Sequence, residues 1–381
     1  MFNLQKPFAV NSITVFILVT IFFQTVYSQK AVADLPLFNH CWFYPTESAN
    51  NIEIASDNDS FLYLSLSDGK LISIDSKTGE KYWETELIGN IISSPLTDPE
   101  NIFIITNSSG SPNSRENLPD SSNTLHCLSK STGIILWQHR LSTTGKVFLY
   151  NSENFITLIN ANGDAFSIAK NDGRLGWKTR LGTQISALPF KKKNEIILGT
   201  VDQRVTILSL ASGKLIGSFE ISIPAKVIIE DRTGSSLIIG NKKGILWSLN
   251  KKKKTRNWSF RFGAEISSLT LTAQGLLVSS LDNFVYLMSE KSGKIIWKSR
   301  LPGRIAAQPQ LGNNYFIITS VDESEALVIE LSSGRLVNKI VLGEENFFTG
   351  ESTQTKSLFV YNTKKGILGF AQAGGCGKLA K

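Results

Sequence analysis

Short apolar runs, broken every few positions by Gly, Asn, Asp, Ser or Lys, fill the chain from about residue 40 to its end. Many of them alternate apolar and polar side chains at period two and are rich in Ile, Val, Phe and Thr, while helical spacing is nearly absent. That pattern predicts β-strands joined by tight turns. After Trp83, for example, come IISSPL, NIFIIT, TLHCLS and IILWQHRL, four strand-like runs in succession.

One phrase recurs through these runs: an apolar strand, a polar turn ending in Gly, and a second strand with an aromatic residue four positions after that Gly. The copies are LISIDSKTGEKYWETEL, LHCLSKSTGIILWQHRL, FSIAKNDGRLGWKTRL, TILSLASGKLIGSFEI, LWSLNKKKKTRNWSFRF, YLMSEKSGKIIWKSRL and VIELSSGRLVNKIVL. Their turn positions are Gly79, Gly133, Gly173, Gly213, Lys254, Gly293 and Gly334, spaced 54, 40, 40, 41, 39 and 41. Trp83, Trp137, Trp177, Trp258 and Trp297 stand at the plus-four position, five of the seven tryptophans in one register. Four strands per period of roughly 40 residues is the unit of a β-propeller blade. The turn glycine supplies the positive φ of a tight hairpin, and the tryptophan can bury its ring against the adjacent blade while its N–H finds a partner.

The phrase, as in SKTGEKYW, STGIILW and KSGKIIW, resembles the quinoprotein-type or PQQ-like repeat, and the resemblance covers nearly all of the chain beyond its leader. In length and export signal the chain is most similar to BamB-type propellers of the bacterial outer-membrane assembly machinery. That likeness implies an all-β, eight-bladed, non-enzymatic scaffold. The sequence departs from the pattern at Gly217 and Asn338, which replace Trp, at Lys254, which replaces Gly, and in lacking a lipid-anchor cysteine after the apolar leader.

Seven complete phrases allow seven blades, but the ends favour eight. The tail offers ENFFTGES, SLFVYN and GILGFAQ, three strands without a fourth, and the N-terminal segment HCWFYPTE, with Trp42, supplies it. Sharing one blade between the termini removes the free edges of an open ring. Cys376 and Cys41 then meet at one hairpin, so an exported chain is expected to form a Cys41–Cys376 disulfide, the alternative being two unpaired terminal thiols. Cys127, inside an apolar strand, is expected to stay a buried thiol.

Composition changes the picture at the N-terminus. Residues 1–33 carry Lys6, the apolar run Ile13 to Phe23 and then a more polar stretch, the order of a secretory signal peptide. Ala31 and Ala33 offer one cleavage pattern and Val26 with Ser28 another. The 11-residue run is short for a bilayer span, so an uncleaved anchor, giving a membrane-held extracytoplasmic sensor, is the secondary reading. Residues 34–381 are read as the propeller, and the protein as periplasmic or extracellular. The net charge of +8 falls to +6 without the leader, so the mature chain is mildly basic.

Catalytic, cofactor and metal-ligating constellations are absent from the pattern. His40, His126 and His139 lack paired-ligand spacing, and no P-loop, nucleophile elbow or dinucleotide loop occurs. Quinone-dependent dehydrogenases carry the same repeat, but the resemblance would then imply an adjacent Cys-Cys pair and a longer chain, neither present here. A PQQ-dependent or other small-molecule oxidoreductase therefore stands as the alternative to a scaffold that binds no cofactor.

Three surface features remain. Aligning the innermost strands places Asn90, Lys146, Gln184, Lys226, Glu265, Arg304 and Asn346, with Asn51 as the eighth, in a ring at one mouth of the central channel. Such a ring favours an anionic group or a peptide carboxylate, although strand starts near solvent are polar in any case. On the opposite face, Lys77, Lys130, Lys170, Lys191 to Lys193, Lys214, Lys251 to Lys254 and Lys291 lie in turns that could meet an anionic envelope surface, or simply be solvated. The polar segment 107–123 is read as a loop inserted in blade 2, either a partner-binding element or a tolerated insertion. A nucleic-acid partner is not expected, since no aromatic-interleaved basic groove exists. The chain reads as a monomer that binds protein partners, its repeated blades giving a broad surface for extended segments.

Overall fold

In the computed structural model, which describes residues 38–46, 52–57, 60–109, 121–143, 145–305, 308–321, 323–341, 348–354, 358–363, 365–372 and 376, the strands group into eight antiparallel sheets. Contacts divide the chain between Leu35 and Pro36, and every described residue lies in the second unit. No helix occurs among the described residues. The expected leader, Asn51 and Asn346 lie outside them.

Each sheet is one blade of four strands, a to d from the inside outward. Blade 1 is Glu53–Asp57, Phe61–Ser65, Lys70–Asp75 and Lys81–Glu86. Blades 2 to 7 follow at 90–141, 147–180, 190–220, 227–261, 266–300 and 310–341. In blade 2 strand a is broken into Asn90–Ile91 and Leu96–Thr97, both paired with Asn101–Ser109. Blade 8 joins the termini: Phe348–Gln354, Leu358–Thr363 and Gly366–Gln372 from the C-terminal end, with Phe38–Pro45 as the outer strand, paired antiparallel to Gly366–Gln372. The chain therefore folds as an eight-bladed propeller and not a seven-bladed one.

The strands differ by position because their surroundings differ. Strands b and c are covered on both faces by neighbouring blades and read as buried runs, as in Phe155–Asn160 and Asp164–Ala169. Strand d is the exposed edge, with half-buried residues alternating with exposed ones in Lys81–Glu86, Leu175–Arg180 and Ile295–Arg300. Lysine and arginine along these edges discourage pairing with a foreign strand. The buried apolar side chains form eight clusters, each shared by two adjacent blades, which together run once around the ring.

Between blades, the recurring phrase becomes a recurring contact. One residue before each tryptophan the c–d pairing shifts, as where Trp83 opposes Ser73 and Lys81 opposes Ile74. This bulge re-aims the next side chain out of its own sheet and onto the following blade. There the indole N–H donates to a turn carbonyl: Trp42 to Ser76, Trp83 to Lys130, Trp137 to Lys170, Trp177 to Leu210, Trp258 to Glu290 and Trp297 to Leu331, all at 2.8–3.0 Å. Each ring lies against the turn glycine three residues beyond that carbonyl. A Cβ added to Gly213, for instance, would stand 2.3 Å from the Trp177 ring, and its φ of +67° is unfavourable for any other residue. The glycine is thus required twice, by its dihedral and by the indole resting on it.

The two departures from the phrase fall at two junctions. Gly217 in blade 4 faces the turn of blade 5, where Lys254 replaces the glycine at φ +55°. With no ring to receive, the turn tolerates a side chain. Asn338 in blade 7 faces blade 8, whose c and d strands come from opposite ends of the chain and share no hairpin turn. A disulfide joins Cys41 to Cys376 there, with Cα atoms 5.2 Å apart and 335 residues between them. Closing so long a loop stabilises by up to about 5 kcal/mol in the chain-entropy model. Cys127 is a free, fully buried thiol, and burial, aided by Asp98, pushes it up to about 12.

The seam contact makes a sharp prediction. Gly213→Ala should destabilise the protein by about 2–4 kcal/mol through the ring clash and the strained turn. Gly182→Ala, at φ +74° but with open space around it, should cost only about 1 kcal/mol. Urea unfolding of the two variants measures the difference, and equal losses would mean that the indole contact carries nothing.

Candidate functional site

The propeller offers two faces and a channel. At the mouth expected to carry the polar ring, the carbonyls of Lys146, Gln184, Glu265 and Arg304 accept the amides of Ala161, Val201, Leu281 and Val321, and Asn90 opposes Asn107. These five residues share one backbone position. Lys226 does not. Its own amide donates to the Gly240 carbonyl, as that of Ser186 does to Gly199 in blade 4, so it stands two residues deeper in its strand than the alignment placed it. Ala225, buried, takes the position that the apolar strand start holds elsewhere. The Lys226 ammonium still reaches the Glu265 carboxylate at 3.4 Å, so part of the ring's charge is internally paired.

Exposed apolar side chains surround this polar ring. Val201, Leu281 and Val321, the residues whose amides bond the ring positions, are 47%, 38% and 46% exposed, and Leu188 is 62% exposed. Sequence reasoning passed over them, although the recurring Val-Asp or Leu-Asp pair after strand b (Val201-Asp202, Leu281-Asp282, Val321-Asp322) was the available signal. An apolar set interleaved with polar groups on one face is what a protein-binding surface needs.

Between blades 1 and 4 the channel side holds a cavity of about 250 Å³ lined by Glu53, Ser94, Lys146, Phe148, Tyr150 and Leu188, among others. Ser94 donates to the Glu53 carboxylate. Burial raises the Glu53 carboxyl above its usual range, and Lys146 opposes that rise. The Tyr150 hydroxyl donates to the Pro189 carbonyl at 2.8 Å.

The lysines of the opposite face are less free than their number suggests. Lys130 bridges to Asp57 of blade 1 at 3.2 Å, and Lys170 to Asp98 of blade 2 at 3.4 Å. Lys192 and Lys251 both pair with Glu230, which is 5% exposed. These are clasps between blades or across one blade's turns, and they remove four cations from the expected basic patch. Lys77, Lys191, Lys193, Lys214, Lys252 to Lys254 and Lys291 are exposed.

In blade 2 the strands run further into the insertion than the reading of 107–123 as a loop allowed. Asn107, Ser108 and Ser109 pair with Asn123, Ser122 and Ser121, because polar side chains do not prevent a ladder whose backbone groups pair. Residues 110–120 lie outside the described residues. The three histidines stay apart: His126 is buried in blade 2, with Nε2 2.8 Å from the Thr106 hydroxyl, whereas His40 is in the outer strand of blade 8 and His139 in that of blade 2. Among the described residues no three His, Cys, Asp or Glu side chains group to hold a metal ion.

Fold, seam contact and repeat define the class: the chain is an eight-bladed β-propeller whose repeat is similar to the PQQ-like, BamB-type one. Residues 110–242 match the family described as outer membrane protein assembly factor BamB. Of curated relatives, the outer membrane protein assembly factor BamB of Legionella pneumophila is 23% identical over 175 residues, 42% of this chain and 44% of that protein. The protein of the same name in Yersinia pestis is 21% identical over 291 residues, 72% of this chain and 68% of that one. The crystal structure of BamB from Moraxella catarrhalis superposes with a TM-score of 0.68 at 15% identity, covering 88% of this chain and 100% of that chain.

His126 supplies a pH prediction. Burial lowers it to about 4, so the folded protein keeps the ring neutral while the unfolded chain protonates near 6.5. Its contribution is fully present above pH 6.5 and is lost, by about 3 kcal/mol, as pH falls to about 4. Stability measured by urea unfolding from pH 7 to 4 should fall less steeply in His126→Gln than in the wild type. Parallel curves would contradict this assignment.

Proposed function

We propose that the protein is an exported, non-catalytic scaffold that holds protein partners during assembly in the cell envelope, docking them on the channel-mouth face. The observation that carries this reading is the set of exposed Val201, Leu281, Val321 and Leu188 around the polar positions Gln184, Glu265 and Arg304. An apolar surface of this kind on rigid strands is suited to a partner and not to solvent. The names of the relatives, outer membrane protein assembly factors, support the same reading, and the leader-like residues 1–33 support export. The partly neutralised lysine face gives less support to an anionic lipid surface.

Photo-crosslinking in the producing cell tests the proposal. A benzophenone residue at Val201, Leu281 or Val321 should give discrete protein adducts, whereas one at Lys214 or Lys291 on the opposite face should give few. Equal or absent adducts at both faces would contradict it. Incubation of the purified protein with pyrroloquinoline quinone and calcium should yield no bound chromophore, and dye-linked oxidation would overturn the scaffold reading in favour of an enzyme.

A further inference from the structure

The junction between blades 4 and 5 lacks the indole that fills the equivalent place at six others. Gly217 stands at the tryptophan position, and the nearest atoms to a Cβ there would be those of Ile207, at 3.4 Å or more. A cavity of about 350 Å³ opens along this seam, lined by Arg204, Ser218, Phe219, Glu220, Leu249 and Lys254. Its size is at the low end for a ligand pocket and suits a single ring better than a larger molecule. Phe219 and Leu249 are buried and make an apolar floor. Arg204, held by Glu220 at 3.2 Å, and the exposed Lys254 bring two cations to the rim. Three residues before Lys254, the Lys251 carbonyl matches in register the six carbonyls that accept indole N–H groups elsewhere in the ring.

We infer that this seam is a binding site for an aromatic side chain, indole foremost, presented by an extended segment of a partner protein. The ring would lie on Phe219 and Leu249, donate to the Lys251 carbonyl as the protein's own tryptophans do to theirs, and take Lys254 and Arg204 against its face. Cations over an aromatic face are attracted by its quadrupole, and Arg also stacks on rings. The seam does not depend on an indole for cohesion, since Lys192 of blade 4 is paired with the buried Glu230 of blade 5 beside it. The site is therefore open in a junction that is already held shut by other means. The inference deepens the scaffold reading by naming one chemical group of its partner.

The test uses 5-fluoroindole as probe and fluorine NMR of the mature full chain as readout, independent of any partner. Wild type should broaden the probe signal saturably at millimolar concentration. Gly217→Trp/Lys254→Gly, which rebuilds the seventh indole contact, should abolish that binding while keeping or raising the melting temperature. Should the double variant not fold, Lys254→Glu alone should weaken the probe about two- to five-fold, with Lys291→Glu unchanged. No saturable binding in the wild type, or equal affinity in the wild type and the Lys254 variants, overturns the inference. The crosslinking above would still succeed in that case if the scaffold reading holds, and indole binding without crosslinked partners would separate the opposite failure.

Discussion

An indole resting on the turn glycine of the next blade is the contact on which the rest of this ring depends. A four-stranded blade cannot bury both faces of its middle strands alone, so each must be seated on its neighbours at a fixed distance and rotation. The bulge before each tryptophan, the N–H donated to a turn carbonyl and the glycine under the ring fix both at once. Apolar clusters between the blades then fill the space this geometry defines. Losing a fully buried tryptophan typically costs about 3–5 kcal/mol; five of these six rings are half-buried, and even a part of that cost is a large share of the stability of most domains.

The two exceptions follow from the same contact. Where blade 8 has no hairpin to receive a ring, Asn338 replaces Trp and the Cys41–Cys376 disulfide stands in the place of the turn. Where Gly217 removes the ring, Lys254 is free to replace the glycine, and a buried carboxylate bridged by two lysines joins the blades instead. Buried ion pairs hold geometry more than they stabilise, and this seam keeps unfilled space and charge at its rim.

Repeat, blade number and closure were legible in the sequence because each is set by local rules: the turn glycine, the tryptophan four residues on, and the unmatched strands at the two ends. Side-chain placement across blades was not. Lys226 moved by two positions because the start of strand a is not tied to a turn, and an alignment by polarity cannot see which residue pairs with Gly240. Lys130, Lys170, Lys192 and Lys251 read as a basic surface because their partners, Asp57, Asp98 and Glu230, lie in other turns or other blades. The apolar Val201, Leu281 and Val321 were overlooked because a valine after a strand looks like more strand, and only the turn geometry exposes it.

Hydrogen exchange of the tryptophan indole N–H groups, followed by nitrogen-resolved NMR in native buffer, tests the central claim most directly. The account predicts that the N–H groups of Trp42, Trp83, Trp137, Trp177, Trp258 and Trp297 exchange only with global unfolding, since each is held between two blades. Exchange of these six at the rate of a free indole would contradict it.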